Sequence, residues 1–512
     1  MNITHLQTAL DPTSLVYLGF PLIQSTIQRT NFMATLLGKL KKTLQPHASR
    51  SISVLGKATI VNTLLLSKCW YIFRVLPLTQ KDLQQITSVA IQFLKKGIFP
   101  VIPWRIWTLP RSQGGLGILD VHLQYAALYF RWVSPLLQLY SPSSTDNPLL
   151  IMLSYHINNH NRSSHHQFPL LFPVARQQFT KKRRVLSLDV MYRSIDMLPR
   201  NYDRVEINLP TGLTLPISAV IYPSPQSIIK LPRRARTMTV ADVFQVHPTH
   251  HFLHWKSPSD PSLAVWQRAP RQLLQGIASG TYRLQPFFLP LCSPSAIPPP
   301  SPPSAPSCRP FVACLTVDNG LVLTSNGVSS KSFREACFTA HEVPSHLTSI
   351  KSSAWNFFWS LTLTMVQRNV VYRFLHKCIP HQSLLHRMFP AVHVSPLCAV
   401  CSTVDDSIDH FLFYCPSKSE VWQGLILEFL WPTVTINDIR HSLLTLDFYN
   451  IRYSQRPRAS SHHIVIIAMA NIWKAHYRLI FDQVSFAPAA VLNSIRIDIQ
   501  KMIDEDHVHA SL

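Results

Sequence analysis

Three cysteines and one histidine stand at spacings that suit a metal ion: Cys398-x2-Cys401-x8-His410-x4-Cys415. The first pair puts two thiolates on one tight turn, and His410 and Cys415 return from a second segment to complete four donors. Three thiolates and an imidazole are the donor set of a closed tetrahedral site. The expectation is therefore one structural Zn2+ held by Cys398, Cys401, His410 and Cys415. Cysteine is also a common inert core residue. Against that stands the grouping of three of the nine cysteines within eighteen positions, beside a suitably spaced histidine. With every coordination position filled by protein, no place remains for a reactive water, which disfavours a zinc hydrolase. The intervening loop carries Asp405, Asp406 and Asp409. Carboxylates lose to thiolates for zinc, so these acids are expected to solvate the loop.

The elements that must position these residues are mostly helical. Helical periodicity runs over residues 24–45, over 55–76 after a Ser51 or Ser53 cap, and over 79–95. These three helices should pack as a bundle with Leu64, Leu65, Trp70, Phe73 and Phe93 inside and Lys57, Lys68 and Arg74 outside. The Gly114-Gly115-Leu116-Gly117 run reads as a tight turn opening onto a helix over 120–138. It lacks the spacing of a phosphate-cradling loop. From about 141 to 345 periodicity fades, with basic clusters at Lys181-Lys182-Arg183-Arg184 and Arg233-Arg234-Arg236 and a Pro/Ser-rich run at 289–307 that reads as an extended linker. Order returns from 352, with helices near 417–430 and 460–483. Trp355, Trp359 and Trp422 read as core rather than as platforms for nucleic-acid bases. The fold class expected is mainly α: a helical bundle over 1–139, an irregular connector over 140–350, a small zinc-binding unit over 351–430 and a helical region over 431–512.

Net charge is +23, from 48 Lys and Arg against 25 Asp and Glu. Such a balance favours a polyanionic partner. Residues 1–100 are the most one-sided part, with eleven Lys or Arg against two acids, Asp11 and Asp82. Lys39, Lys41, Lys42, Lys57, Lys68 and Arg74 are the candidate contacts to RNA or DNA phosphates. Scattered cysteines outside the metal run form no disulfide framework, which points to a reducing intracellular compartment. Proline interrupts uncharged stretches such as 207–229, so no membrane partner is expected.

Two regions resemble one family in the same order. The first is Tyr17-Leu18-Gly19-Phe20-Pro21-Leu22, Ser53-Val54-Leu55-Gly56-Lys57-Ala58, Leu66-Ser67-Lys68-Cys69-Trp70-Tyr71 and Gly114-Gly115-Leu116-Gly117. It resembles the segment that follows the polymerase palm in non-LTR (LINE-type) retrotransposon reverse transcriptases. The second, from Trp355 and Trp359 through Arg373-Phe374-Leu375-His376 and Ile379-Pro380 to His410-Phe-Leu-Phe-Tyr-Cys415-Pro416 and Trp422, resembles the zinc-binding domain of those enzymes. The resemblance implies a thumb-like N-terminal bundle that grips nucleic acid and a zinc unit that takes part, while the basic clusters at Lys181-Lys182-Arg183-Arg184 and Arg233-Arg234-Arg236 are candidate nuclear localisation signals. It places Met1 just downstream of a palm. The palm's Ala-Asp-Asp turn has no counterpart: the adjacent aspartates Asp405-Asp406 lie in the metal loop. The expectation is a non-enzymatic nucleic-acid-binding portion of a reverse transcriptase-like protein. The alternatives are a zinc-stabilised protein-interaction module and a relic without function.

Overall fold

The computed structural model describes residues 8–96, 101–139, 145–163, 165–177, 185–225, 230–294, 305–316, 322–323, 329–338, 343–451, 454–456 and 459–511. A short antiparallel hairpin, β1 (Leu15–Tyr17) and β2 (Phe20–Leu22), leads into α1 (Thr26–Ala48). Ser25 caps α1 by accepting from the Gln28 N–H, and Met33, Leu36, Leu40 and Leu44 form its buried stripe. The expected second helix is helical throughout, but not uniformly. α2 (Val54–Ile60) and α3 (Ser67–Phe73) are joined by a π-helical segment, Val61–Leu66. The wider turn re-phases the side chains, so Leu65 and Leu66 are buried while Leu64, expected in the core, is 39% exposed. Hydroxyls of Thr59, Thr63 and Ser67 each donate to the carbonyl four residues back along this stretch.

α4 (Gln80–Lys95) begins with a capping box in which Thr79 and Asp82 bond reciprocally. Asp82 also faces Arg29 at 3.7 Å, so it is already engaged inside the bundle. α5 (Val121–Gln138), capped by Asp120, is buried over most of its circumference. Its Tyr125 hydroxyl accepts from Leu78 N–H at 2.7 Å and donates to Leu76 O at 3.1 Å, tying the chain between α3 and α4 to its side.

The middle third consists of short elements joined by irregular chain, yet it has a core. After α6 (Pro148–Asn161), α7 (Leu186–Asp196) packs along α5. Two antiparallel pairs follow: β3 (Ile221–Pro223) with β6 (Tyr282–Leu284), and β4 (Phe244–Val246) with β5 (Leu253–Trp255). α8 (Ala269–Ala278) lies between β5 and β6 in the chain, and α9 (Ser330–Cys337) packs Phe333 at a tilt against Phe130 of α5. Phe172, Tyr202, Phe287 and Phe311 meet edge-on or tilted, with centroids 5.1 to 5.5 Å apart. The start of the expected linker is a 3-10 helix, Pro286–Cys292, with Phe287 and Phe288 buried. At its far end Ser307 N–H donates to Thr211 Oγ1. Residues 295–304 and the Lys181–Arg184 cluster lie outside the described residues.

The C-terminal part contains α10 (Ser352–Ser360), α11 (Met365–Leu375), α12 (Gln382–Met388), α13 (Pro416–Phe429), α14 (Ile436–Thr445), α15 (Ser461–Asp482) and α16 (Pro488–Ser511). α15 is long and apolar enough to cross a bilayer by length and composition. It is instead a core helix, with residues 464–472 all buried and α11, α13 and α16 packed around it. α16 was not expected from the sequence. Its inward residues Val491, Ile495 and Ile499 form only a narrow stripe, and Leu492 closes on Gly424 of α13.

The two family-resembling regions touch. Gly114, at φ +86°, offers its carbonyl to the Tyr372 hydroxyl at 3.2 Å and to His376 Nε2 at 3.0 Å. Trp359 Nε1 donates to Arg111 O, and Trp355 covers the glycine so closely that a Cβ would lie 2.6 Å from its ring. Asn369 of α11 accepts from Val54 N–H at the start of α2.

Candidate metal centre

Local backbone bonds explain how four distant donors meet. Cys398 N–H donates to Val404 O, and Asp406 N–H to Pro396 O, closing a narrow loop. Ser402, in the left-handed region at φ 55°, donates to Cys398 O and turns the chain so that Cys401 faces back toward Cys398. His410 starts a single π-helical turn, His410–Tyr414, whose Phe411, Leu412 and Phe413 are buried. That turn ends where Cys415 caps α13, and Cys415 N–H returns to His410 O. The turn is anchored from outside: Trp422 Nε1 donates to Leu412 O at 2.8 Å, and Phe413 stacks on Trp422 with centroids 5.6 Å apart.

The donor atoms of Cys398, Cys401, His410 and Cys415 all lie within 4.8 Å of one another. Around tetrahedral zinc, sulfur–sulfur and sulfur–nitrogen separations are about 3.8 and 3.5 Å. The 3.4 Å between Cys401 Sγ and His410 Nε2 fits that geometry. Cys398, His410 and Cys415 are buried and Cys401 is half-buried, so the centre is enclosed on three sides. Cys398 is drawn down to about 4, first by its bond with the Cys415 thiol, which is correspondingly pushed up. Burial pushes Cys401 up, but bonds with Thr403 and His410 outweigh it and hold the thiol below its ordinary range. The donor set fits one structural zinc ion. Among the described residues no other His, Cys, Asp or Glu group is placed to hold a metal.

Residues 332–422 match the family model for zinc-binding in reverse transcriptase. The C-terminal part of the chain carries a reverse-transcriptase zinc-binding domain. The match spans all four ligands and ends at Trp422, the residue that anchors the ligand-bearing turn. No curated protein matches the chain.

The acids of this domain are not used as expected. Asp406 does not solvate the loop: it is fully buried, and its Oδ2 accepts from Gln382 N–H at the start of α12. Burial pushes its carboxyl up to about 6 against the pull of that bond and of Lys418. Asp409 pairs with Arg440 of α14 through two 2.8 Å bonds, and only Asp405 is exposed. Trp355 and Trp422 are fully buried and Trp359 half-buried, as core residues should be.

Sequence reasoning missed Lys418. It extends the inward stripe of α13, where Val421, Trp422, Leu425, Ile426 and Phe429 are buried, and it is itself fully buried. The i, i+3, i+4, i+7 spacing was the available signal.

The six cationic candidates differ in exposure and in partners. Lys39, Lys41 and Lys42 are exposed on α1, and Lys68 reaches α1 by donating to Thr43 Oγ1 at 2.7 Å. Arg74 is exposed just beyond α3. Lys57 is half-buried rather than outside: its Nζ donates to Lys96 O, and burial, with Lys96 and Arg373 nearby, lowers its pKa. Among the described residues none of the six pairs with a carboxylate.

Proposed function

We propose that this chain is a nucleic-acid-binding portion of a LINE-type reverse transcriptase-like protein, acting in the nucleus. In this reading the N-terminal helices grip backbone phosphates and the zinc-binding domain holds α11 beneath them. The observation that carries it is the set of unpaired exposed cations on α1 and α3. Among the described residues Lys39, Lys41, Lys42, Lys68 and Arg74 have no carboxylate partner, while Asp82 is buried in a cap. Cations without a carboxylate partner are available to phosphate, and such contacts bind with little sequence preference. We further propose that the polypeptide has no polymerase activity. The adjacent aspartates are Asp405 and Asp406, and Asp406 is fully buried with its carboxylate bonded to the Gln382 N–H at the start of α12, so the pair does not offer two open carboxylates to catalytic metal ions.

The test is titration of the zinc-loaded protein with labelled single-stranded RNA and duplex DNA over a salt series, beside Lys39→Ala/Lys42→Ala/Lys68→Ala. Affinity should fall steeply with salt, and the variant should lower the slope by roughly one unit per lost phosphate contact. No binding at low salt sinks the reading. A second reading, a protein-docking module, rests on a different feature. Met388, Phe389, Val392, Val394, Leu397 and Val404 leave an exposed apolar surface on the zinc-bearing segment. Binding to neither nucleic acid would favour it.

A further inference from the structure

A lysine with no exposed surface is unusual unless an anion accompanies it. Lys418 Nζ lies 3.1 Å from His476 Nδ1 and 4.5 Å from the centroid of the Phe411 ring. Neither is an anion. His476 is a neutral acceptor, its pKa pushed to about 2 by burial and by Lys418 itself. Among the described residues no carboxylate lies within ion-pair distance of the ammonium. The negative groups whose fields reach Lys418 are Cys398, Asp406, Cys415 and Cys401. Three of these four are the thiolate ligands.

Zinc does not neutralise that set. Three thiolates and a neutral imidazole around a divalent cation leave one surplus negative charge on a centre that is largely buried. Lys418 sits one turn into α13, whose first residue follows Cys415, so its charge and the positive end of the helix act on the same sulfur. We propose that Lys418 is the buried counter-cation of the zinc–thiolate centre, setting its affinity for a divalent ion through charge without ligating it. This rests on the zinc assignment. It explains why a cation occupies an inward position of α13 otherwise filled by Val421, Trp422 and Leu425, although its hydrogen-bond partner is a neutral ring: the anions around it are the metal centre and the buried Asp406 carboxylate.

The test compares zinc affinity by chelator competition in the full-length wild type and in Lys418→Met, Lys418→Gln, Cys401→His and Lys418→Met/Cys401→His. The Co2+ ligand-field spectrum of each confirms four-coordination. Methionine keeps the volume of the stem. Glutamine keeps a donor for His476 without the charge. Both should bind zinc about ten-fold or more weakly, since a unit charge removed from a poorly solvated site is little screened. Cys401→His makes the centre neutral, so it should weaken zinc binding while Lys418 is present but recover part of the loss in the Lys418→Met background. The two changes then offset each other. Wild-type affinity in either single lysine variant overturns the proposal, as do additive losses in the double variant. Should Lys418→Met not fold alone, zinc-dependent folding of the double variant supports the proposal and failure of both overturns it. A wild type that takes up no zinc would overturn the metal centre, a result separable from every lysine outcome.

Discussion

The contact between the Gly114 turn and the helices that precede the metal ligands can be broken by one methyl group. Gly114 has φ +86°, a region that costs an L-residue about 1–2 kcal/mol. A Cβ there would lie 2.6 Å from Trp355 Cζ2, 3.0 Å from Cε2 and 3.2 Å from Cη2. The indole cannot swing away, because Trp355 is fully buried and packs on Phe358, Trp359 and His376. Nor can the turn retreat freely, since Gly114 O is held by Tyr372 and His376, and a Cβ at neighbouring Gly115 would meet Leu109 O at 1.9 Å. Overpacking of this kind costs about 1–3 kcal/mol. Gly114→Ala should therefore destabilise the protein by about 2–5 kcal/mol in urea unfolding. The steric part is separable. In a Trp355→Leu background the backbone cost remains and the clash does not, so the two substitutions should be non-additive by about 1–3 kcal/mol. A Gly114→Ala midpoint matching wild type within about 0.5 kcal/mol, or additive behaviour in the double variant, would refute the claim that this glycine exists to admit the indole.

Removing zinc with a strong chelator should expose amides of the Cys398–Cys415 loop and of α12 to hydrogen exchange first. Those of α4 and α5, which share no bond with the loop, should stay protected. Trp422→Phe removes the donor to Leu412 O and should cost about 1–3 kcal/mol, with a measurable loss of zinc affinity because the ligand-bearing turn loses its anchor. Stability should rise with pH between about 4 and 6.5. Burial holds His166 and His462 near 4 and His376 near 3, so each is neutral when folded and takes up a proton on unfolding in that window. The pH dependence of the urea midpoint reads the number of protons taken up, and His166→Gln should lower it by nearly one.

How much of this was legible in the sequence depended on whether the signal was local. The ligand spacing around Cys398 and the cap at Ser53 are encoded within a few residues of where they act, and the structure places them as the spacing requires. Leu64 was misplaced because periodicity assumes 3.6 residues per turn, and the Val61–Leu66 π segment breaks that assumption without any proline or glycine to announce it. α16 was overlooked for the opposite reason. Its buried residues Val491, Ile495 and Ile499 recur only every fourth position, and the bare backbone at Gly424 that lets Leu492 approach lies on another helix. Apart from α6 and α7, the middle third hid its core in elements of three to ten residues, too short to show a period, and its aromatic contacts join Phe172 to Phe311 across more than a hundred positions. Lys418 and Asp406 are the most instructive errors. Each was charged and was given a solvated role or none, because a charge is assumed to seek water. Both are buried beside a centre whose own charge is invisible in hydropathy, since it arises only when three thiols lose their protons to a metal. A charged residue on the apolar stripe of a helix that begins at a metal ligand should therefore be read as a partner of that metal's thiolates before it is read as a mistake in the helix.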